Sequence, residues 1–223
     1  MPTLLLRLAG PLQSWGTDSR FEIRRTENMP TKSGVIGMIS SALGRSREEN
    51  VFDLNELQFG VRIDQPGTII TDFHTAKKDS KTSYITKRYY LSDAVFLVGL
   101  YSESSEKLDE IKAALESPAF PLFLGRRSCP PDPDMGLTIK TEELIQALKK
   151  APFAGSETKS KKSLPIYVDG ASIDREQAFR LRDQPQTFNP LHRKYQDRIV
   201  YRIHSKDARN LDEHDAYDEV DKS

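Results

Sequence analysis

The N-terminal part of the chain shows the two hydrophobic periods that predict a strand, a helix and a second strand. Leu4, Leu6 and Leu8 alternate with other residues in residues 3–9, a period of two that is typical of a strand. Thr31 is predicted to cap a helix whose apolar stripe repeats every three to four residues, and Gly44 to end it. Residues 58–64 alternate again and predict the second strand.

The middle of the chain predicts a long hairpin, followed by another strand–helix–strand unit. Residues 68–74 and 83–91 are rich in β-branched and aromatic residues, and they flank a polar stretch carrying Lys77, Lys78 and Lys81. Residues 94–100 are apolar throughout, as in a central buried strand. A helix capped by Ser105 follows, and residues 122–124 are predicted to form a short strand.

Without the hairpin, the predicted order is βαββαβ, which indicates an α+β, ferredoxin-like (RRM-like) core with a protruding hairpin. This sheet is a common RNA platform, but it also supports unrelated functions. Beyond it we expect an irregular C-terminal part, with a short helix at residues 141–150 and a strand at 198–204. One domain is expected over residues 1–205, with the hairpin at about 68–91, followed by an acidic disordered tail, 206–223.

Charge is distributed unevenly along the chain. The whole sequence has 33 basic and 33 acidic side chains, but residues 207–223 hold seven acidic and two basic ones, which leaves 31 basic and 26 acidic groups in residues 1–206. Such asymmetry indicates a polyanionic partner or, alternatively, a solubilising tail on an ordinary domain. The single cysteine, Cys129, cannot form an internal disulfide, which favours a cytoplasmic protein. No apolar stretch approaches the ~20 residues of a membrane-spanning helix, so no membrane partner is expected.

The chain carries little sign of catalysis. Its four histidines and one cysteine do not have the spacing of metal ligands, so we expect neither a metal nor another cofactor. The stretch TKSG lacks the upstream glycine of a phosphate-binding P-loop. His74, next to the basic hairpin, is either an RNA-contacting surface residue or the general acid or base of an RNA-cleaving enzyme.

Basic and aromatic residues alternate in the hairpin, where Lys87 and Arg88 lie next to Tyr89 and Tyr90. Aromatic rings stack on bases for about 1–3 kcal/mol each, and cations hold the phosphates, so this pattern suits single-stranded RNA. An edge hairpin that uses lysines to resist aggregation would look similar. Further basic clusters are formed by Arg20, Arg24 and Arg25, by Arg126 and Arg127, and by Lys32 and Ser33 at a helix N-terminus, where phosphates bind readily.

Four stretches together closely resemble one family. They are LLLRLAGPLQSWG at residues 4–16, PTKSGVIGMISSALG at 30–44, LGRRSCPP at 124–131 and FNPLHRKYQDRIVYR at 188–202. In this order and spacing they resemble CasD, the subtype I-E family of CRISPR-associated proteins that supplies the 5′-end subunit of the Cascade complex. The resemblance covers nearly the whole chain except the acidic tail.

The resemblance implies a ferredoxin-like core of the repeat-associated (RAMP) superfamily with a hairpin thumb. It implies a non-catalytic subunit that grips the 5′ handle of the crRNA, caps the complex, and contacts the Cascade backbone and large subunits. Target DNA is then met indirectly, through base pairing with the guide. Together with the basic chemistry it indicates an RNA-binding set of ten residues: Arg24, Arg25, Lys32, Ser33, Lys87, Arg88, Tyr89, Arg126, Arg127 and Ser128.

Two alternatives to this function remain open. A related subtype I-C protein cuts RNA, so a metal-independent endoribonuclease using His74, Lys87 and Tyr89 is the first. A protein–protein module on a ferredoxin-like sheet, without RNA, is the second.

Overall fold

The computed structural model of the chain describes residues 2–16, 19–20, 22–77, 83–156, 163–170 and 178–206. In this part of the chain there are four helices: α1 Lys32–Ala42, α2 Phe52–Asn55, α3 Ser105–Glu116 and α4 Leu144–Lys150. The strands are β1 Thr3–Ala9, β2 Leu12–Gln13, β3 Ser19–Arg20, β4 Ile23–Arg24, β5 Gln58–Gln65, β6 Thr68–Lys77, β7 Ser83–Ser92, β8 Val95–Tyr101, β9 Thr138–Lys140, β10 Ser163–Asp169, β11 Ala178–Thr187 and β12 Lys194–Lys206.

Seven of these strands form one antiparallel sheet, in the order β11-β12-β10-β5-β8-β1-β9. Helices α1 and α3 cover one face, where Leu4, Leu6 and Leu8 of β1 are buried among their apolar side chains. Helix α4 covers the other face and buries Leu5. Burial on both sides explains why β8 is apolar at every position.

A second sheet contains β6 and β7, which pair antiparallel from Thr68 opposite Ser92 to Lys77 opposite Ser83. Strand β7 is its centre, because β2 pairs antiparallel and β4 pairs parallel with β7 as well. The α+β architecture dominated by antiparallel sheets agrees with the prediction. The tip lysines Lys78 and Lys81 lie outside the described residues.

Residues 122–124 do not form the predicted strand. Leu124 is fully buried, but its carbonyl accepts a hydrogen bond from the backbone of Ser14 inside a loop. The edge position next to β1 is taken by β9 instead. Helix α4 also begins later than predicted, at Leu144, because Glu143 is its extended N-cap residue.

The prediction of an irregular C-terminal part is wrong, because β10, β11 and β12 extend the main sheet beyond β5. Strand β11 lacks an apolar alternation that would have indicated it. Its two buried positions are Asp183 and Pro185, and the carboxylate of Asp183 pairs with the guanidinium of Arg198 on β12 at 2.6 and 2.9 Å. A buried ion pair therefore stands where a sequence pattern would show an apolar pair.

No helix in the described part of the chain is both long and apolar enough to cross a membrane. The acidic tail was predicted at residues 206–223; Lys206 is the last residue of β12, and residues 207–223 lie outside the described residues.

Candidate nucleic-acid interface

A groove of about 1220 Å³ runs along α1, the second sheet and the β11–β12 connection. Its floor is one face of α1, which presents only small residues: Ser33, Gly34, Gly37, Ser40 and Ser41. Trp15, which also lines the groove, is fully buried against Gly34, where an added Cβ would lie 2.7 Å from its ring. The small residues on this face leave the helix backbone close to whatever occupies the groove.

Arginines dominate the walls of the groove. Seven of the residues that line it are arginines, and no described lining residue is Asp or Glu. They are Arg24, Arg45, Arg47, Arg126, Arg127, Arg182 and Arg193. Of these seven arginines, only Arg45 has an acidic partner among the described ion pairs, Asp53 at 2.6 Å. The groove therefore has a strongly positive potential, which low-dielectric walls concentrate.

Aromatic rings line the same groove. Phe120, Phe123, Phe188 and Tyr195 come from two distant segments of the chain and lie among the arginines. Phe188 packs over the face of α1 at Gly37, where an added Cβ would lie 3.6 Å from its ring. Rings and guanidinium groups together are the combination that holds single-stranded nucleic acid, through stacking and phosphate contacts.

The loop 124–129 fixes Arg126 and Arg127 at the groove. Gly125 has φ +84°, and a Cβ there would lie 1.9 Å from the Ser14 carbonyl oxygen, so only glycine fits. The Arg126 guanidinium donates to the backbone carbonyls of Arg24 and Arg25, at 2.9 and 3.4 Å. It also lies 4.9 Å from the centre of the Tyr90 ring, a cation–π contact that holds the guanidinium in place.

Two guanidinium groups converge on the Tyr90 hydroxyl. Burial raises the pKa of Tyr90, but hydrogen bonds with Ser128, Arg126 and Arg88 outweigh it and hold this pKa below its usual range. Nε of Arg88 and Nη1 of Arg126 are buried and have no partner among the described residues. Buried donors of this kind call for an acceptor, and next to two cations an anionic oxygen satisfies them best.

Lys32 does not face the groove. Its side chain is 5% exposed, and its ammonium donates to the carbonyls of Asn55 and Leu57 and to the Asp169 carboxylate, at 2.8 to 3.2 Å. Its backbone N–H donates to the Asp183 carboxylate at 2.8 Å. The N-terminus of α1 is thus already neutralised by an internal carboxylate, and of the predicted pair only Ser33 lines the groove.

The predicted hairpin residues divide between two faces. Cross-strand pairing places Lys87 opposite Phe73 and Tyr89 opposite Thr71, so these two residues share a face, with the Lys87 ammonium 5.7 Å from the Phe73 ring centre. Arg88 lies on the other face with Tyr90, toward Arg126. His74, opposite Thr86, also lies on that other face, so the structure does not bring His74 together with Lys87 and Tyr89.

The remaining predicted residues lie at the rim. Arg24 lines the groove from β4, whose parallel pairing sets it beside Arg88. Arg25 follows it with an exposed side chain, and its carbonyl holds Arg126. Ser128 contributes the hydrogen bond to Tyr90.

Sequence reasoning missed half of the groove. Arg45 and Arg47 follow α1, whereas Arg182, Arg193, Phe188 and Tyr195 come from β11, β12 and the turn between them. The stretch FNPLHRKYQDRIVYR held a signal, because it places a phenylalanine, two basic residues and a tyrosine close together. The signal that was lacking is the pairing of β11 with β12, which brings this stretch against α1.

Comparison with known proteins gives four consistent matches. The family model described as CRISPR-associated protein (Cas_Cas5) matches residues 3–201. The CRISPR system Cascade subunit CasD of Escherichia coli (strain K12) is 32% identical over 209 residues, covering 84% of this chain and 90% of that protein.

Two solved structures have the same fold. A chain of a CRISPR RNA-guided surveillance complex matches with a TM-score of 0.77 and 30% identity, covering 92% of this chain and 90% of that one. A structure described as a crystal structure of a Cas protein matches with a TM-score of 0.73 and 39% identity, covering 93% and 96%. The predicted resemblance to CasD is confirmed, and the chain belongs to the Cas5 family of CRISPR-associated proteins.

Proposed function

We propose that this chain is the non-catalytic, crRNA-binding subunit of a type I-E Cascade complex, and that its arginine groove holds the 5′ handle of the guide RNA. The observation that carries the proposal is the groove itself, lined by seven arginines and by no described acid. The relatives support the setting, since one is a Cascade subunit and another is part of an RNA-guided surveillance complex.

We infer that β9-β1-β8-β5 and helices α1 and α3 are the ferredoxin-like core. The support is the chain order β1-α1-β5-β8-α3-β9, with β1 and β8 as the two central strands of an antiparallel set. We infer that the β6–β7 hairpin is the thumb. Its outer half carries exposed apolar side chains at Phe73 and Ile85, which fits a structure that reaches into a neighbouring molecule.

The handle phosphates are assigned to the six groove arginines with no acidic partner among the described residues: Arg24, Arg47, Arg126, Arg127, Arg182 and Arg193. Arg126 lines the groove while it contacts Tyr90, so we assign one phosphate to the groove side of its guanidinium. Bases of an unpaired strand are free to stack on the phenylalanines of the groove. Ser33 and Ser128 supply hydroxyls, Arg25 adds a cation at the rim, and Lys32 plays a structural part.

The geometry of the hairpin supports the proposal that the chain holds RNA without cutting it. A general acid or base must lie within hydrogen-bond reach of the proton that it transfers. His74 is separated by the sheet from Lys87 and Tyr89, so the three do not form one centre. The guide, held at its handle and contacted by the backbone and large subunits, then reads target DNA by base pairing in the cytoplasm.

The test uses the purified protein and its CRISPR repeat RNA in EDTA, analysed on native and denaturing gels side by side. We expect a shifted, intact RNA, and we expect the shift to disappear when the handle sequence is scrambled. Arg127→Gln should weaken the shift, whereas Arg180→Gln, an exposed arginine of β11 that does not line the groove, should not. A discrete cleavage product that disappears in His74→Ala would establish the nuclease instead.

A further inference from the structure

A second cavity, of about 490 Å³, lies on the C-terminal extension of the main sheet and has no part in the groove. Tyr167, Phe179, Arg202 and His204 line it, one from β10, one from β11 and two from β12. We call these four residues the aromatic patch. Two rings on the outer strands and two basic side chains on the central strand are an unusual composition for the cover of a sheet.

The register of the sheet places these residues on one face. Tyr167 pairs with Arg202, and Phe179 pairs with Val200, which is two residues away on the same face of β12. The two ring centres are 6.0 Å apart at 79°, although β12 separates their strands, so the rings lean toward each other across it. Val200 beneath them is fully buried. The guanidinium of Arg202 lies 6.0 Å from the Tyr167 ring centre.

The patch exceeds what is needed to cover Val200. Two rings would suffice for that, yet Phe179 remains 37% exposed and Arg202 and His204 are exposed beside it. Neither basic residue takes part in an ion pair of the described chain. An exposed ring next to a guanidinium that forms no described ion pair, on the face of an antiparallel sheet, matches a base together with its phosphate.

The aromatic patch shares no lining residue with the groove, although Arg182 of the groove and Phe179 of the patch are three residues apart on β11, about 10 Å. Tyr195 of the groove and Arg202 of the patch are seven residues apart on the same strand, which corresponds to about 23 Å. Arg198, the ion-pair partner of Asp183 on β11, lies between Tyr195 and Arg202 on β12.

We propose that the aromatic patch is a second binding site for single-stranded nucleic acid, with a base stacked on Phe179 and Tyr167 and a phosphate at Arg202 and His204. This proposal holds whether or not the groove binds the handle. Only the identity of the nucleic-acid strand bound at the aromatic patch rests on the proposed function. In a guide-RNA complex that strand is either the guide beyond its handle or single-stranded DNA.

The test uses the full chain and two 12-nucleotide probes, oligouridine and oligothymidine, each with a fluorescein label and one photoreactive 5-iodopyrimidine. We expect irradiation to crosslink a probe to Tyr167 or Phe179, identified by mass spectrometry. In an Arg127→Gln/Arg193→Gln background, which weakens the groove, Phe179→Ala should reduce affinity at least about fivefold by fluorescence anisotropy. Phe52→Ala is the matched control, since Phe52 is 61% exposed and lines neither cavity.

Arg202→Gln keeps both rings, so it tests the patch even if the Phe179→Ala variant misfolds. It should weaken binding and reduce the slope of log affinity against log salt by about 0.7. Crosslinks confined to other residues, or equal affinities for the Phe179 and Phe52 variants, would overturn the proposal. RNA-only binding assigns the patch to the guide, and DNA-only binding assigns it to a DNA strand. If the unmodified protein does not shift the handle RNA but the probes still crosslink to the patch, the proposed function is rejected and the second binding site stands.

Discussion

The salt dependence of RNA binding follows from the number of groove arginines that have no acidic partner among the described residues. Six of the seven qualify: Arg24, Arg47, Arg126, Arg127, Arg182 and Arg193. Each phosphate neutralised on a single strand adds about −0.7 to the slope of log affinity against log salt, so six contacts give a slope of about −4. Affinity for the handle RNA should then fall about 250-fold between 50 and 200 mM salt.

Removing one arginine should change that slope by one contact. Arg127 is exposed and its guanidinium forms no described ion pair, so Arg127→Gln removes a phosphate contact without breaking the fold. We expect a slope of about −3.5 and a fall of about 130-fold over the same salt range. Fluorescence anisotropy with labelled handle RNA measures both numbers, and Arg180→Gln controls for the loss of any surface arginine.

A shallow slope would refute this reasoning. If the wild-type slope were weaker than about −1, fewer than two phosphates would be neutralised, and the arginines of the groove would not be the binding surface. Equal slopes for the Arg127 and Arg180 variants would show that the positive charge acts over the whole surface rather than within the groove.

Three further outcomes are expected. Asp183→Ala leaves its buried arginine unpaired and should lower the free energy of unfolding by about 3–5 kcal/mol in urea titrations, whereas Asp197→Ala, exposed on β12, should change it little. Gly125→Ala places a methyl group where no space exists and should both destabilise the chain and weaken RNA binding, which unfolding and anisotropy measurements separate. The hydrogen bond from Arg45 lowers the pKa of Asp53, so this pair stabilises the fold above the unfolded-state pKa of Asp53 and loses that contribution as pH falls through the folded-state value. Asp53→Asn should therefore flatten the acid limb of a plot of stability against pH; an unchanged acid limb would count against the pair.

The parts of the fold that follow from local patterns were predictable. The alternating leucines of β1 and the capped stripe of α1 are set by side-chain period and backbone capping within one segment. Strand β9 was not predictable from the sequence. It has three residues and one half-buried side chain, so it carries no hydrophobic period that distinguishes it from a loop. Its strand character comes from the edge of β1, which is a tertiary contact.

The groove was predictable only on one wall. Arg126 and Arg127 stand in a motif of contiguous residues, whereas Arg45, Arg182 and Arg193 join them only after α1 and the β11–β12 pair have packed. The sequence around Lys32 is equally consistent with an exposed and a buried ammonium. What decides is Asp169, 137 positions later, which accepts its hydrogen bond inside the protein.

The buried carboxylate of Asp183 helps to position the arginines of the groove. Asp183 links the backbone of Lys32 at the start of α1 to Arg198 of β12, and its neighbour Arg182 lines the groove. By charge alone, removing a carboxylate near the groove would strengthen RNA binding. By geometry it should weaken binding, because the wall bearing Arg182 and Arg193 loses its attachment to α1. The sign of the change in affinity for Asp183→Ala, measured where the variant is still folded, therefore separates electrostatic attraction from positioning, and we expect positioning to dominate.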